Sequence, residues 1–430
     1  MHYGDGVKLS LLPSGRRLID LYGDDAYRLS DDAFDLVAGY LGRRPVLVGH
    51  RVSPDVLRAF SSRDLELRQY PVAVLAESEL RAVLEGMSRH LNSMIDIRLK
   101  TEVVSVERRD GEYVMTLRDR RGTTVLHTSH IVLATGRRGL ADTQRMLQRL
   151  EVPLSPPDFS VGVRFEMAAE YLQATGLSHP DMKVTQRDRD ADKVKTFCFC
   201  GGANGGRVKF TNYQDAFGDE IVTLDGHETL ERQAGTRPLS GNFGLMCQAE
   251  RLDTHAESSA ELDQRVLAPY RTLNHGRPVV QTFRAFSARD EHSECWEDIS
   301  ASMPFEPSVD DLLAAPLHRL FTDRQLASLV NGFENVMRPM LALGGYDTAP
   351  DLLADEILVI GLEIEFLWSR VAVDDNGETP EPGLFVAGDV AGVAQGVIQA
   401  MMMGLRAGRT IGGRFASQHD GAAEGAPGLV

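Results

Sequence analysis

The sequence predicts an α/β protein of two domains. One is an incomplete doubly wound sheet assembled from discontinuous segments, and the other is a β-rich α+β unit. Three features predict it. Two apolar runs far apart in the chain, "HIVLATG" (130–136) and "GLFVAGD" (383–389), share one design, a buried strand ending in a small residue and a glycine. Between them, after Pro153, the character changes to strands and glycine turns, as in "FSVGVRFEM" (159–167) and "VKTFCFCGGANGGRVKFTNY" (194–213). The length, 430 residues, is more than one hydrophobic core usually serves. The doubly wound domain is expected over 1–154 and 371–415, the second domain over 155–370, and a disordered tail over 416–430.

Each element has its own signal. Residues 1–44 are mixed and turn-rich, and "RRPVLVGH" (43–50) reads as a short strand. In "ESELRAVLEGMSRHLN" (77–92), Leu80, Val83, Leu84, Met87 and Leu91 fall at helical spacing. The stretch 95–119 alternates about Asp110-Gly111, a strong hairpin signal. "TTVLHT" then leads into the "HIVLATG" strand. Residues 214–260 read as polar and irregular, 307–337 as two short helices, and 357–375 as strand again.

Composition excludes several classes. At 43% hydrophobic and 25% charged residues, the chain reads as an ordinary globular protein. A formal charge of −16 repels a phosphate-rich polymer, so no nucleic-acid partner is expected, although a local basic pocket for a small anion is compatible with it. No apolar run is long enough to span a membrane. The opening "MHYGDGVKLSLLPSGRR" lacks the basic flank and apolar block of a secretory signal, which leaves the cytoplasm as the expected compartment. Four cysteines do not make a disulfide framework.

The strand ends carry the chemistry. In a doubly wound sheet, ligands lie beyond the carboxyl ends of the strands. Small residues such as those around Thr135-Gly136 and Gly388 let the backbone approach a ligand closely. Asp389 places a carboxylate there, able to accept hydrogen bonds from sugar-alcohol hydroxyls. A helix starting near Gly396 would aim free N–H groups and a partial positive charge at the same place.

The order hairpin, ATG strand, separate domain, GD strand and helix resembles the FAD-dependent dehydrogenases of the glutathione-reductase-like, two-domain flavoprotein superfamily. Within it, the likeness is to a bacterial family of FAD-dependent dehydrogenases. It covers most of residues 1–410 through "GDGVKL" (4–9), "IVLATGRRGLADTQRML" (131–147), "FSVGVRFE" (159–166), "KTFCFCGG" (195–202) and the GD segment (383–408). The resemblance implies FAD as cofactor and a small-molecule substrate. Hydride would pass between substrate carbon and flavin N5, or an activated double bond would be reduced. It further implies that Asp389, after the Gly388 turn, binds the ribityl chain. Gly396 and Val397 would face the flavin pyrimidine, the Val103 backbone would meet the adenine, and Thr135-Gly136 would lie beside the phosphate half. A helix N-terminus beside the anionic reduced flavin would contribute roughly 1–2 kcal/mol, on the order of 20–40 mV for a two-electron couple.

One part of the superfamily pattern is missing. Its opening strand, G-x-G-x-x-G turn and helix, which wrap the pyrophosphate, have no counterpart. "GDGVKL" has Leu9 at the third glycine, and "GGANGG" (201–206) has the wrong spacing. The expectation is a family member that begins late, and Met1 would then not be the true start. The alternatives are a natural short form with weak or lost FAD binding, and a second chain supplying the unit. The competing functional reading is a flavoprotein-derived binding protein without catalytic flavin, or one subunit of a two-chain flavoenzyme.

Other residues stay open between two roles. Lys8 reaches either a phosphate or the flavin, or it is a solvated lysine. Arg164 anchors an anionic substrate or makes a surface or interdomain salt bridge, and Cys198 with Cys200 is a dithiol facing substrate or two buried thiols. No metal site is expected, because neither the histidines nor the cysteines show zinc spacing. No NAD(P) loop is visible, and no catalytic acid or base is assigned.

Overall fold

Strands of alternating side chains build the largest sheet of this molecule, which has eight strands. The computed structural model describes residues 7–48, 52–156, 160–173, 182–186, 193–214, 219–228, 237–248, 261, 263–292, 294–346, 353–365, 369–393 and 395–424. The amino-terminal strands are β1 (Val7–Ser10), β2 (Leu65–Gln69), β3 (Val72–Leu75), β4 (Glu102–Arg109), β5 (Glu112–Asp119), β6 (Gly122–Thr128) and β7 (Ile131–Leu133). The middle strands are β8 (Leu154–Ser155), β9 (Ser160–Ala168), β10 (Met182–Gln186), β11 (Val194–Cys200), β12 (Gly206–Gln214), β13 (Glu220–Glu228) and β14 (Ser240–Gln248). The last are β15 (Val279–Thr282), β16 (Leu313–Ala314), β17 (Leu358–Glu365), β18 (Arg370–Val371) and β19 (Leu384–Val386).

The main sheet has eight strands in the order β16-β15-β17-β9-β14-β11-β10-β2, antiparallel except at β15–β16. β2 joins it through β10, so the sheet draws on a strand from each side of residue 155. β4, β5 and β6 form a separate antiparallel meander. Its first turn has Asp110 and Gly111 both at positive φ, 51° and 84°, as a two-residue hairpin turn demands. β7 and β19 pair in parallel in the register Ile131–Leu384, Val132–Phe385 and Leu133–Val386. Among the described residues this two-stranded pair is what represents the expected doubly wound sheet, and the chain as a whole is a mixed α/β structure.

β9 shows why the main sheet is buried on both faces. Its sequence alternates, yet every residue from Ser160 to Ala168 is buried. The apolar set packs under the helix Asp323–Leu343, where Phe165 stacks on Phe333 at 4.2 Å between ring centres. Phe283 joins Phe333 at 4.5 Å, and Phe199 stacks on Phe243 at the same separation. Each such ring stabilises the core by roughly 1.5–3 kcal/mol. That helix starts with a capping box in which Thr322 and Gln325 satisfy each other's backbone N–H groups. The polar set, Arg164 and Glu166, lies under the β12–β13 hairpin instead. A Cβ on Gly226 of β13 would sit 2.2 Å from Arg164 Nη1.

Several expected elements differ. The stretch 214–260 holds β13 and the central strand β14, not irregular chain. Gly241 and Gly244 hide the alternation there, and a Cβ on Gly244 would meet the Glu363 carboxylate at 2.3 Å. The first of the two helices expected in 307–337 is absent. Pro316 lacks an N–H, and only β16 and a 3-10 turn at Leu317–Leu320 form before the long helix. "RRPVLVGH" gives only the bridge Val48–Val72, and its end lies outside the described residues. The last helix runs Val397–Glu424, through much of the segment expected as a tail. Among the described residues no helix is long and apolar enough to cross a membrane.

Candidate functional site

Two clusters of polar side chains lie within the fold, one at the ends of β7 and β19 and one under the β12–β13 hairpin. At the first, β7 runs out through Ala134 and Thr135 to Gly136, and β19 runs out through Ala387 to Gly388. The two glycines have the same backbone conformation, φ 62° and ψ −165° at Gly136, φ 79° and ψ −159° at Gly388. That region is essentially closed to any residue with a Cβ. Each strand then enters a 3-10 turn, Arg137–Gly139 and Asp389–Ala391. Nothing lies within 4 Å of a Cβ built on Gly136, and only Ala400 Cβ, at 3.5 Å, approaches one on Gly388.

Arg137 joins these turns. Its Nε donates to Asp389 Oδ2 at 2.8 Å, and its Nη2 donates to Gln395 Oε1 at 3.2 Å. Asp389 remains partly exposed, at 20% of its side-chain surface. Gly396 follows at φ 120° and the last helix begins at Val397, whose side chain packs partly buried on the core. Gln399 is buried, and its Nε2 donates to the carbonyls of Ser10 and Ser14 at 2.9 and 3.1 Å. It thereby ties the start of this helix to the end of β1. The Thr135 hydroxyl is turned inward, 2.7 Å from Thr143 Oγ1, so Thr135 offers its backbone to the surroundings.

The second cluster begins at the other end of β1. Lys8 Nζ donates to Cys198 Sγ at 3.0 Å. Cys198 sits at a bulge in β11 with φ 49°, and its thiol faces the Gly226 carbonyl at 3.5 Å. The Cys200 thiol donates to the Cys198 carbonyl at 3.3 Å, and burial pushes it well above its ordinary range. Arg164 is fully buried; its Nη2 donates to Glu363 Oε1 at 2.6 Å, and its Nη1 to Asn242 Oδ1 at 2.7 Å and the Cys198 carbonyl at 3.2 Å. Arg164 Nε, Glu166 Oε2, Asn242 Nδ2 and Glu363 Oε2 are buried without a hydrogen bond among the described residues. Each such atom costs about 1–3 kcal/mol.

The electrostatics follow from that burial. Burial works against the Arg164 charge, but Glu363, the two cysteines and Asp225 hold it above its ordinary value. Burial pushes Glu363 up to about 8, with Arg164 opposing. A carboxyl raised on folding supports the fold while protonated and loses that support as pH rises through its folded value. Stability should therefore fall between pH 4.5 and about 8. Glu363→Gln, which keeps an acceptor for Arg164, should flatten that fall in melting curves taken across the window. An unchanged slope would contradict the assignment.

The structure brings Thr135, Gly136, Gly388, Asp389, Gly396 and Val397 to one end of the parallel pair, and Lys8, Cys198, Cys200 and Arg164 to the other cluster. Val103 is 40% exposed on β4, opposite Leu117, and no described contact brings its side chain to either cluster. Sequence reasoning missed Arg137, Gln399, Asn242 and Glu363. Arg137 was visible as the residue after the ATG strand, whereas Gln399 and Asn242 carry no local signal. Among the described residues no group of three or more His, Cys, Asp or Glu side chains could hold a metal ion. A separate cavity of about 620 Å³ beside β15 is lined by Gln281, Thr282, Arg284, Asp290, His292 and Asp355. Within it Arg284 donates to Asp355 at 2.6 Å, and His292 lies 3.4 Å from Asp290.

No family model matches the chain, and no curated protein does. Among solved structures it is similar to an aklavinone-11 hydroxylase with FAD and aklavinone, at 12% identity and a TM-score of 0.33, covering 84% of this chain and 48% of that one. It is also similar to pyridoxine 4-oxidase from Mesorbium loti, at 11% identity and a TM-score of 0.39, covering 93% and 81%. A third, p-nitrophenol 4-monooxygenase PnpA from Pseudomonas putida DLL-E4, gives 13% and 0.26, covering 91% and 64%. The chain spans about half the length of the first of these. Likeness this remote carries no part of the functional reading.

Proposed function

We propose that the protein is a flavin-dependent oxidoreductase acting on a small molecule, with FAD held at the carboxyl ends of β7 and β19. One observation supports this above the others. Two adjacent parallel strands end in glycines of matching conformation, one followed by Arg137 and the other by Asp389, with a helix starting just beyond. Such strand ends are where open α/β sheets bind nucleotides.

The residues present fit the group. Among the described residues only Ala400 Cβ, at 3.5 Å from the Gly388 position, approaches either glycine turn, so backbone can approach a ligand. The Asp389 carboxylate has about four lone-pair sites, so it can accept from ribityl hydroxyls while Arg137 holds its orientation. Arg137 would place a fixed positive charge beside the cofactor's anionic parts. Gly396 and Val397 would line the pyrimidine end, Thr135 and Gly136 would offer backbone to the phosphate half, and the Val103 backbone would meet the adenine. FAD, when bound, supplies the two-electron chemistry, and the protein supplies binding and orientation.

In this reading, 1–154 with 371–415 hold the cofactor, and 155–370 hold the substrate. β1 spans the two clusters, through Ser10 to Gln399 and through Lys8 to Cys198. Lys8 would thus stand between cofactor and substrate. Asp389→Ala removes charge-assisted hydrogen bonds of about 1.5–3 kcal/mol, which corresponds to roughly a 10- to 100-fold weaker FAD affinity. The flavin absorbance retained through purification reads this directly. Equal retention by the variant and the parent would remove Asp389 from the site.

A further inference from the structure

We propose that Cys198 is an oxidation-sensitive modification site whose sulfenic acid is captured by Lys8, closing a reversible sulfur–nitrogen link between β1 and β11. The inference does not rest on the flavin reading. It stands on how three elements meet. Cys198 is partly exposed, so a hydroperoxide can reach it. Its φ of 49° at the β11 bulge turns the side chain out of regular strand geometry. The thiol then lies 3.0 Å from Lys8 Nζ and 3.5 Å from the Gly226 carbonyl of β13. Lys8 is already beside the sulfur, so little chain entropy remains to be lost in joining them.

The chemistry balances in two steps. A hydroperoxide oxidises the thiol to a sulfenic acid; its O–O bond breaks, one oxygen goes to sulfur, and the other leaves as water or an alcohol. The neutral Lys8 amine then attacks sulfur. The S–O bond breaks, the S–N bond forms, and the hydroxyl leaves as water with a proton from nitrogen. The pair loses two hydrogens in all, and a thiol reductant restores both groups.

Cys200, whose thiol lies against that of Cys198, is the natural rival for that sulfenic acid, and its burial disfavours it. Its thiol is committed to the Cys198 carbonyl at 3.3 Å and is fully buried. Burial keeps it protonated, and a protonated thiol is a poor nucleophile.

The test is peptide mapping of the whole chain after brief exposure to hydrogen peroxide. The expected product joins the peptides carrying Lys8 and Cys198, two hydrogens lighter than their sum, and separates on adding a thiol reductant. It should be lost in Lys8→Arg and kept in Cys200→Ser. A Cys198–Cys200 disulfide in the parent would overturn the proposal. So would a Cys198 sulfenic acid that a dimedone-type trap captures equally in the parent and in Lys8→Arg.

Discussion

Above about pH 8, where Glu363 is ionised, Arg164→Ala should destabilise the protein by about 3–5 kcal/mol, the cost of breaking a fully buried ion pair from one side. Arg164 is 0% exposed and holds Glu363, Asn242 and the Cys198 carbonyl together. Removing it leaves Glu363 buried without its cation and Asn242 without its donor. The glycines around the pair leave nothing to refill the space, since Gly226 and Gly244 face the two charged groups directly. The double replacement Arg164→Met with Glu363→Leu should lose much less, because a buried pair exchanged for apolar groups of similar volume is often close to neutral. Urea midpoints of the two single variants and the double variant give the coupling directly. Additive losses would mean that the two residues do not act as a pair.

Gly388→Ala should cost about 1–3 kcal/mol, as a Cβ is forced into a backbone region that essentially only glycine occupies. Space is not the reason, since the nearest atom to that Cβ is Ala400 Cβ at 3.5 Å. The cost comes from φ 79° with ψ −159°. Gly136→Ala should behave alike, because its backbone is nearly the same and its surroundings are open. Gly404→Ala serves as the contrast. Gly404 lies within the last helix with nothing within 4 Å of its Cβ position, so alanine there should stabilise by roughly 0.5–1 kcal/mol. Thermal melts of the three variants separate the sites, and equal shifts would remove the special role of the two turns.

Much of the strand content was legible because its signals are local. Asp110-Gly111 marked a hairpin whose turn needs positive φ at both residues, and the two small-residue strand ends marked the parallel pair. β14 was not legible. Its glycines are there for Glu363 and Leu172, which are remote in sequence, so its own pattern looks irregular. β9 shows the same limit from the other side. Its alternation predicts one wet face, whereas the β12–β13 hairpin covers Arg164 and Glu166. The candidate site was half legible. Asp389, Gly136 and Gly388 announce themselves at strand ends, but the partner of Asp389 is Arg137, and the brace under the helix start is Gln399 reaching Ser10 and Ser14. Those contacts join segments hundreds of residues apart, and no local window holds both members.

The central claim is that the ends of β7 and β19 hold a flavin, and equilibrium titration of the whole chain with FAD tests it most directly, followed by quenching of flavin fluorescence. The account predicts saturable binding of one flavin per chain, weakened in Asp389→Ala and in Gly388→Ala while their circular dichroism stays that of the parent. Fluorescence unchanged by excess folded protein would contradict it.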